Sequence, residues 1–426
     1  MNRTLDVYLD GALTGAVTMS SGGTLTFRYA DTHLDQSHPT PVSMSMPTER
    51  QEHPNRVVLP FIQGLLPDNA QALSAIATSF GVSAASPFAM IEKIGTDVAG
   101  ALQFVPEGEA APDATGARTG VRPLDETEIA ELLREAIDEY SDGRPMRQRD
   151  SRFSLSGAQP KIALHALDAD SWGVPVDATP TTHIFKPVTG AMRDIDVIEQ
   201  ITMSAARYLG LGVAESRLAT FDGVRTFVTT RYDRVETGAR WRRLHQEDLC
   251  QALAVPPAKK YQRTDGGPGA AAFAGLLQAI PVLDDRAAAA RAFFRGFVFN
   301  VVAAGTDAHA KNYSIMLDGE RVRLAPLYDL ASYAAYASPG ESIQLPMHVN
   351  GKYRLDAISS ADLVKVGTKL RLPSSEASEI VESLRDEVVA AFSAAGDEFL
   401  AEASSSEVEG VAQRLVTGVA ALPLTR

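Results

Sequence analysis

Apolar and polar positions alternate with a period of two at the start of the chain: Leu5, Val7 and Leu9, then Leu13 and Val17 beyond Gly11, then Leu25, Phe27 and Tyr29 beyond Gly22 and Gly23. Successive strand side chains point to opposite faces, so the pattern predicts a small antiparallel meander. From position 62 the spacing becomes helical and runs to 80, with Leu65, Leu66, Leu73 and Ile76 on the apolar side. A segment from Ile91 closes on Gly95, and 101–105 reads as a short strand, which makes residues 1–105 a β-rich α+β module of ordinary domain size. Residues 106–123, PEGEAAPDATGARTGVRP, carry almost no large apolar side chain and read as a linker. Ile129, Leu132, Leu133 and Ile137 then give 124–140 the face of an amphipathic helix.

Further on, 153–167 (FSLSGAQPKIALHAL) has two strand-like halves around a run of small residues, and 183–187 (HIFKP) is a short apolar strand carrying Lys186. A helix over 196–211 ends at Gly210 and Gly212. A hairpin through Gly223 leads into TTRYDR, where 124–234 is expected to close as a second domain. Residues 235–426 read as a predominantly helical lobe, opening with RLHQEDLCQALA at 243–254. Within it KYQRTDGGPG, 260–269, is too rich in Gly to be helical. Helices follow over 270–280 and 286–304, then a strand over 322–325, and helices again from 361.

Composition narrows the classes. A chain of 426 residues with 45% hydrophobic and 22% charged content can bury more than one core. Its formal charge of −13 gives no global attraction to nucleic acid or an anionic membrane. One cysteine, Cys250, excludes an internal disulfide and any multi-cysteine zinc site. The opening MNRTLDVYLDG has no apolar signal region and no stretch approaches a membrane span, so a cytoplasmic protein without a membrane partner is expected.

The candidate chemistry is concentrated after the apolar helix of Phe293, Phe294, Phe297, Val298, Val301 and Val302. That helix stops at Gly305, and Asp307, His309, Lys311 and Asn312 follow within six positions. A polar cluster after a helix is also what an ordinary turn looks like. Here, however, Asp307 can accept a proton and Asn312 can offer a neutral oxygen to Mg²⁺, at the Asp-to-Asn spacing of the protein-kinase catalytic loop. In PLYDLAS a second carboxylate, Asp329, leaves a strand beside Tyr328. The small residues at 156–161 would let backbone N–H groups approach an anion, although the run is not a Walker A sequence and a plain hairpin looks similar. Lys186 is placed to neutralise phosphates or simply to snorkel from an edge strand. Glu199 is a possible ion-pair partner for it, or a solvated helix residue. Backbone groups of Thr230, Arg231 and Tyr232 can meet an adenine, with Tyr232 packing on it.

Taken together, SLSGAQPK, THIFKP, TRYDR, RLHQEDLCQAL, KYQRTDGGPG, TDAHAKNYS and PLYDLAS, with LTFRY, PVSMSMP, LLPDN and IGTDVAGAL before them, resemble the HipA family in order and over nearly the whole length. These are the serine/threonine-kinase toxins of type II toxin–antitoxin modules. The resemblance implies an α+β, kinase-like fold, related to the protein-kinase and phosphoinositide-kinase folds, with an N-terminal β-rich subdomain and a helical C-terminal lobe. It implies ATP and Mg²⁺ as cofactors, Asp307 as the catalytic residue, and Asn312 and Asp329 as the metal ligands. The nucleotide would be held by Ser156, Gly157, Ala158, Gln159, Pro160 and Lys161 as the phosphate loop, by Lys186, and by Thr230, Arg231 and Tyr232 as the hinge. His309, Ala310, Lys311, Asn312, Tyr328 and Asp329 would line the rest.

Ser154 matches the family's autophosphorylation position, and Ser156 stands where Ala is usual, leaving two acceptors. Thr230 replaces a hinge Glu, and Pro160 replaces an acidic residue, removing one N–H from the loop. The implied partners are a small helix-turn-helix antitoxin like HipB, DNA mainly through that antitoxin, and a protein substrate; aminoacyl-tRNA synthetases are known targets of members. Two alternatives remain open: an inactive co-repressor that only binds its antitoxin, and a kinase for a small metabolite.

Overall fold

The period-two pattern of the first thirty residues becomes an antiparallel sheet of five strands, in the order Glu52–His53, Leu25–Tyr29, Ala12–Met19, Arg3–Leu9 and Leu102–Pro106. The computed structural model describes residues 2–109, 120–146, 153–176, 179–189, 194–238, 240–338, 340–402 and 406–425. These residues form two compact units, one of Met1–Thr189, Ala219–Ala258 and Met316–Glu320, the other of Gly190–Leu218, Lys259–Ile315 and Arg321–Arg426.

In the first unit the five-stranded sheet turns Leu5, Val7, Val17 and Phe27 into a core closed by Phe61, Ile62, Phe88 and Ile91 from helices Asn55–Gly64 and Pro87–Ile94. The single helix expected over 62–80 is two helices. Pro67 lies in the break, and Asn69 caps the second helix, Ala70–Phe80, by accepting the Ala72 N–H at 2.9 Å. The second sheet of this unit has six strands, in the order Ser216–Phe221, of which 219–221 belong to this unit, Val224–Thr230, His183–Pro187, Ile162–Ala166, Trp172–Val176 and Gly120–Leu124. Gly120–Leu124 covers the end of the segment read as a linker, whose residues 110–119 lie outside the described ones. Helix Glu126–Asp142 starts with the reciprocal Asp125 and Glu128 capping pair and lays Ile129 and Leu133 on Ile162, Trp172, Phe185 and Val228. A short parallel pair, Asp97–Val98 with Phe153–Ser154, ties the amino-terminal module to the start of the small-residue loop.

The stretch expected to open a helical half begins instead with strand His245–Asp248, followed by the one-turn helix Leu249–Ala252, and belongs to the first unit. Side-chain bonds account for this. Glu247 accepts from the Met44 N–H at 2.7 Å and the Ser43 hydroxyl at 2.6 Å, and Gln251 donates to the Phe61 carbonyl at 3.1 Å. Long-range polar pairing thus fixes a strand where a helical half was expected to begin.

The second unit is mostly helical. Ile195–Tyr208, Leu283–Val302, Ser360–Lys369, Ser374–Glu402 and Ser406–Ala420 surround a core in which Phe299 stacks on Phe392 with centroids 6.3 Å apart. Glu199 is buried on the first of these helices. Residues 260–269 include one helical turn, Gln262–Asp265, which the glycine content had argued against. The glycines come after it: Gly266, at φ 67, stops the turn in the left-handed region. No described helix is long and apolar enough to cross a membrane.

Candidate active site

The helix Leu283–Val302 is apolar over its last turns because it is buried there, and its end is fixed by Asn300. The Asn300 amide donates to the Gly296 carbonyl at 3.1 Å and to the Tyr313 hydroxyl at 2.9 Å, so one side chain holds both ends of the polar loop. Gly305 closes the turn by donating to the Asn300 carbonyl at 2.7 Å, and a Cβ there would lie 2.5 Å from Asn300 Oδ1.

The loop that follows is a tight polar knot. The His309 N–H donates to the Asp307 carbonyl at 2.7 Å and lies 3.2 Å from Asn312 Oδ1, while the Asn312 N–H donates to the His309 carbonyl at 3.0 Å. His309, Ala310, Lys311 and Asn312 are buried, whereas Asp307 is exposed. The Asn312 amide also donates to Asp329 Oδ2 at 3.0 Å, which brings the two expected metal ligands together. Asp329 has φ 58, a left-handed conformation that a non-glycine residue holds only where its surroundings impose it. Beside it, the Tyr328 hydroxyl donates to the Lys311 carbonyl at 2.7 Å and meets the Ser314 hydroxyl at 2.6 Å. Tyr328 thus braces the loop carrying the polar residues.

Asn312 and Asp329 supply one neutral and one charged oxygen donor. That suits Mg²⁺, which usually takes only one or two carboxylates from protein and completes its octahedron with phosphate oxygens and water. Among the described residues no group of three or more His, Cys, Asp or Glu is arranged to hold a metal.

In the first unit, the small-residue loop takes its shape from Gly157, at φ 115, a region that side chains rarely enter. A Cβ there would lie 2.8 Å from Lys161 Nζ, which donates to the Gln159 carbonyl at 2.9 Å and sits 5.7 Å above the Tyr140 ring. The loop also leans on the amino-terminal module, since the Asp68 N–H donates to the Gly157 carbonyl at 3.1 Å. Ser154 is buried, and its hydroxyl donates to the Leu65 carbonyl at 2.7 Å, whereas Ser156 is half-buried. Lys186 lies opposite Phe227 in the sheet register, with its ammonium 5.3 Å above that ring.

The expected hinge is used differently along its length. Thr230 Oγ1 meets His183 Nε2 at 3.1 Å, and the Tyr232 hydroxyl donates to Gln246 Oε1 at 2.8 Å. The Arg231 N–H is taken by the Thr182 carbonyl at 2.8 Å. The Arg231 guanidinium, only 2% exposed, donates to Asp233 at 2.9 Å, to the Thr181 hydroxyl at 2.8 Å and to the Val98 carbonyl at 2.8 Å. Arg231 therefore spends its charge inside the fold. Arg234 joins the same cluster, reaching Asp97 Oδ1 at 2.8 Å. Burial pushes the Asp97 carboxyl up, yet Arg234, Arg231 and Arg243 together hold it well below the ordinary carboxylate range.

Three residues of consequence were not singled out from the sequence: Asp97, Glu247 and Tyr261. Each lies inside a segment quoted above, IGTDVAGAL, RLHQEDLCQAL or KYQRTDGGPG. Their partners are 134, 204 and 46 positions away, and pairings at that separation leave no periodic trace.

Residues 153–392 match the HipA-like C-terminal domain. The chain belongs to the HipA family. Residues 5–105 match the HipA N-terminal domain. The Sinorhizobium fredii protein named "Putative kinase Y4mE" is 36% identical over 364 residues, which cover 83% of this chain and 82% of that one. The serine/threonine-protein kinase toxin HipA of Shewanella oneidensis is 28% identical over 382 residues, covering 87% of this chain and 84% of that one. A structure of Shewanella oneidensis HipA with HipB and its operator DNA superposes with a TM-score of 0.80 at 24% identity, over 98% of this chain and 96% of that one. The mixed helix and sheet architecture described above is therefore the HipA fold.

Proposed function

We propose that the protein is an ATP- and Mg²⁺-dependent serine/threonine protein kinase acting in the cytoplasm as the toxin of a toxin–antitoxin pair. The observation that carries the reading is the joining of Asn312, in the loop that presents Asp307, to Asp329 at 3.0 Å, with Asp329 in the left-handed region. In this reading Asp307 receives the proton of the acceptor hydroxyl as its oxygen bonds to the γ-phosphorus and the bond from that phosphorus to the ADP oxygen breaks. A bound Mg²⁺ would supply positive charge to the phosphate oxygens, with Asn312 and Asp329 as its protein ligands. Lys186 neutralises nucleotide phosphates, and the N–H groups of 156–161, apart from Pro160, cradle them.

The proposed partner is a small helix-turn-helix antitoxin, with DNA reached mainly through it, because the chain itself carries a formal charge of −13. The solved relative with HipB and operator DNA supports that pairing. The proposed substrate is a cellular protein, with aminoacyl-tRNA synthetases the first class to examine. Phosphate on Ser154 or Ser156 would add about two negative charges to the phosphate loop and silence the enzyme. The decisive experiment is incubation of the purified protein with labelled ATP and Mg²⁺, with and without cell lysate. Label on Ser154, Ser156 or a lysate protein is expected; label nowhere would overturn the kinase reading.

A further inference from the structure

The exposed carboxylate of Asp307 has a partner from the turn of 260–269. The Tyr261 hydroxyl donates to Asp307 Oδ1, and its ring stands edge-on to His309 with centroids 4.8 Å apart. All three residues belong to the second unit. The turn is fastened to the loop, since the Ala310 N–H donates to the Lys260 carbonyl at 3.3 Å. It is also closed on itself: the Asp265 and Gly267 N–H groups both donate to the Tyr261 carbonyl, at 3.1 Å and 3.0 Å. A Cβ on Gly267 would lie 1.8 Å from the Lys259 carbonyl, so the chain doubles back there with no room for a side chain. The turn's backbone bonds and the His309 contact thus aim the Tyr261 hydroxyl at Asp307 in the resting protein.

We infer that Tyr261 is a positioning residue that keeps the acceptor's place on Asp307 until a substrate hydroxyl displaces it. The inference rests on the kinase reading. Its basis is chemical identity: the O–H to carboxylate bond made by Tyr261 is the bond that a substrate serine or threonine must make before its proton can leave. Exchanging one such donor for another keeps the carboxylate paired throughout.

Tyr261→Phe removes the hydroxyl and keeps the ring against His309. The acceptor probe is the peptide DSRFSLSGAQPKI, residues 150–162 of this chain. A hydrogen bond to an ionised carboxylate favours the charged form, so its loss raises the carboxylate's pKa in the free enzyme only. Because kcat/KM reports the free enzyme and kcat the loaded one, the acid limb of kcat/KM should move to higher pH in the variant while that of kcat stays in place. At pH above both limbs, peptide KM should fall roughly tenfold, the worth of one hydrogen bond to a charged group. A merely structural tyrosine would move both limbs or neither, or raise KM, and any of these results overturns the proposal.

A second readout needs no turnover. In protein carrying 3-fluorotyrosine, the ¹⁹F signal lost in Tyr261→Phe belongs to Tyr261. It should shift in Asp307→Asn and again when the peptide is added to wild-type protein. A signal indifferent to Asp307→Asn sinks the Tyr261 proposal and leaves the kinase reading standing. A signal that responds to both, in a protein that transfers no phosphate, sinks the kinase reading and keeps Tyr261 as the residue displaced on binding.

Discussion

Asp329 shows how one backbone angle constrains a substitution. Its φ of 58 suits Asp and Asn better than most side chains, because a short polar side chain can bond locally in that region. Asp329→Asn therefore removes the charge and keeps the conformation. Phosphoryl transfer should fall by about 10² or more in Asp329→Asn, and likewise in Asp307→Asn, with the melting temperature of each within about 2 °C of wild type. Transfer assays paired with calorimetry check both halves. Glu247 makes a different test. Burial pushes its carboxyl up to about 8, against hydrogen bonds from the Met44 N–H and the Ser43 hydroxyl. Its folded value lies above its unfolded one, so the folded state holds the extra proton. The resulting stability is fully present below about 4.5 and is lost as pH rises through about 8. Melting temperature should therefore decline between about pH 4.5 and pH 8, and Glu247→Gln should flatten that decline. Equal slopes in the two proteins would mean that Glu247 is ionised in the fold at neutral pH.

Elements were legible in the sequence wherever local pattern and tertiary need agreed. The meander, the strand His183–Pro187 and the long helix Leu283–Val302 follow from alternation, from a short apolar run and from the closely spaced Phe293, Phe294, Phe297, Val298, Val301 and Val302. The strand His245–Asp248 did not, because its polar sequence has no apolar alternation and is held by Ser43 and Met44, some two hundred positions earlier. The site was legible to the same extent. As candidates, Asp307 and Asn312 stood out by their spacing and Asp329 by its motif, whereas the Asn312–Asp329 bond, the donor on Asp307, the brace from Tyr328 and the burial of Arg231 depend on distances the sequence does not state. The strand pair Asp97–Val98 with Phe153–Ser154 carries the element-scale prediction. Asp97→Ala leaves Arg231 and Arg234 buried without one of their two carboxylates, a loss of about 3–5 kcal/mol in denaturant unfolding. The wild-type contribution of Asp97 is present above its ordinary pKa and fades as pH falls below it, because its folded pKa is depressed. The variant should accordingly lose less of its remaining stability on acidification than the parent does.

For the whole molecule, the kinase reading ties growth arrest to one cation. Expression in a bacterial host should arrest growth, Lys186→Ala should relieve that arrest, and co-expression of a helix-turn-helix antitoxin should relieve it in the unaltered protein. Equal toxicity of Lys186→Ala and wild type in plating assays would separate the arrest from phosphoryl transfer.

The buried cluster has a consequence for hybrid chains. Asp97 lies in the stretch matching the HipA N-terminal domain, and Arg231, Asp233, Arg234 and Arg243 lie in the stretch matching the C-terminal one. Asp97 is a buried acid from one stretch paired with buried arginines of the other, so each stretch offsets charge that the other would leave buried. A hybrid chain that takes each stretch from a different relative should therefore fold stably only where it keeps the acid at 97 together with the arginines at 231, 234 and 243, and denaturant unfolding of such hybrids checks this.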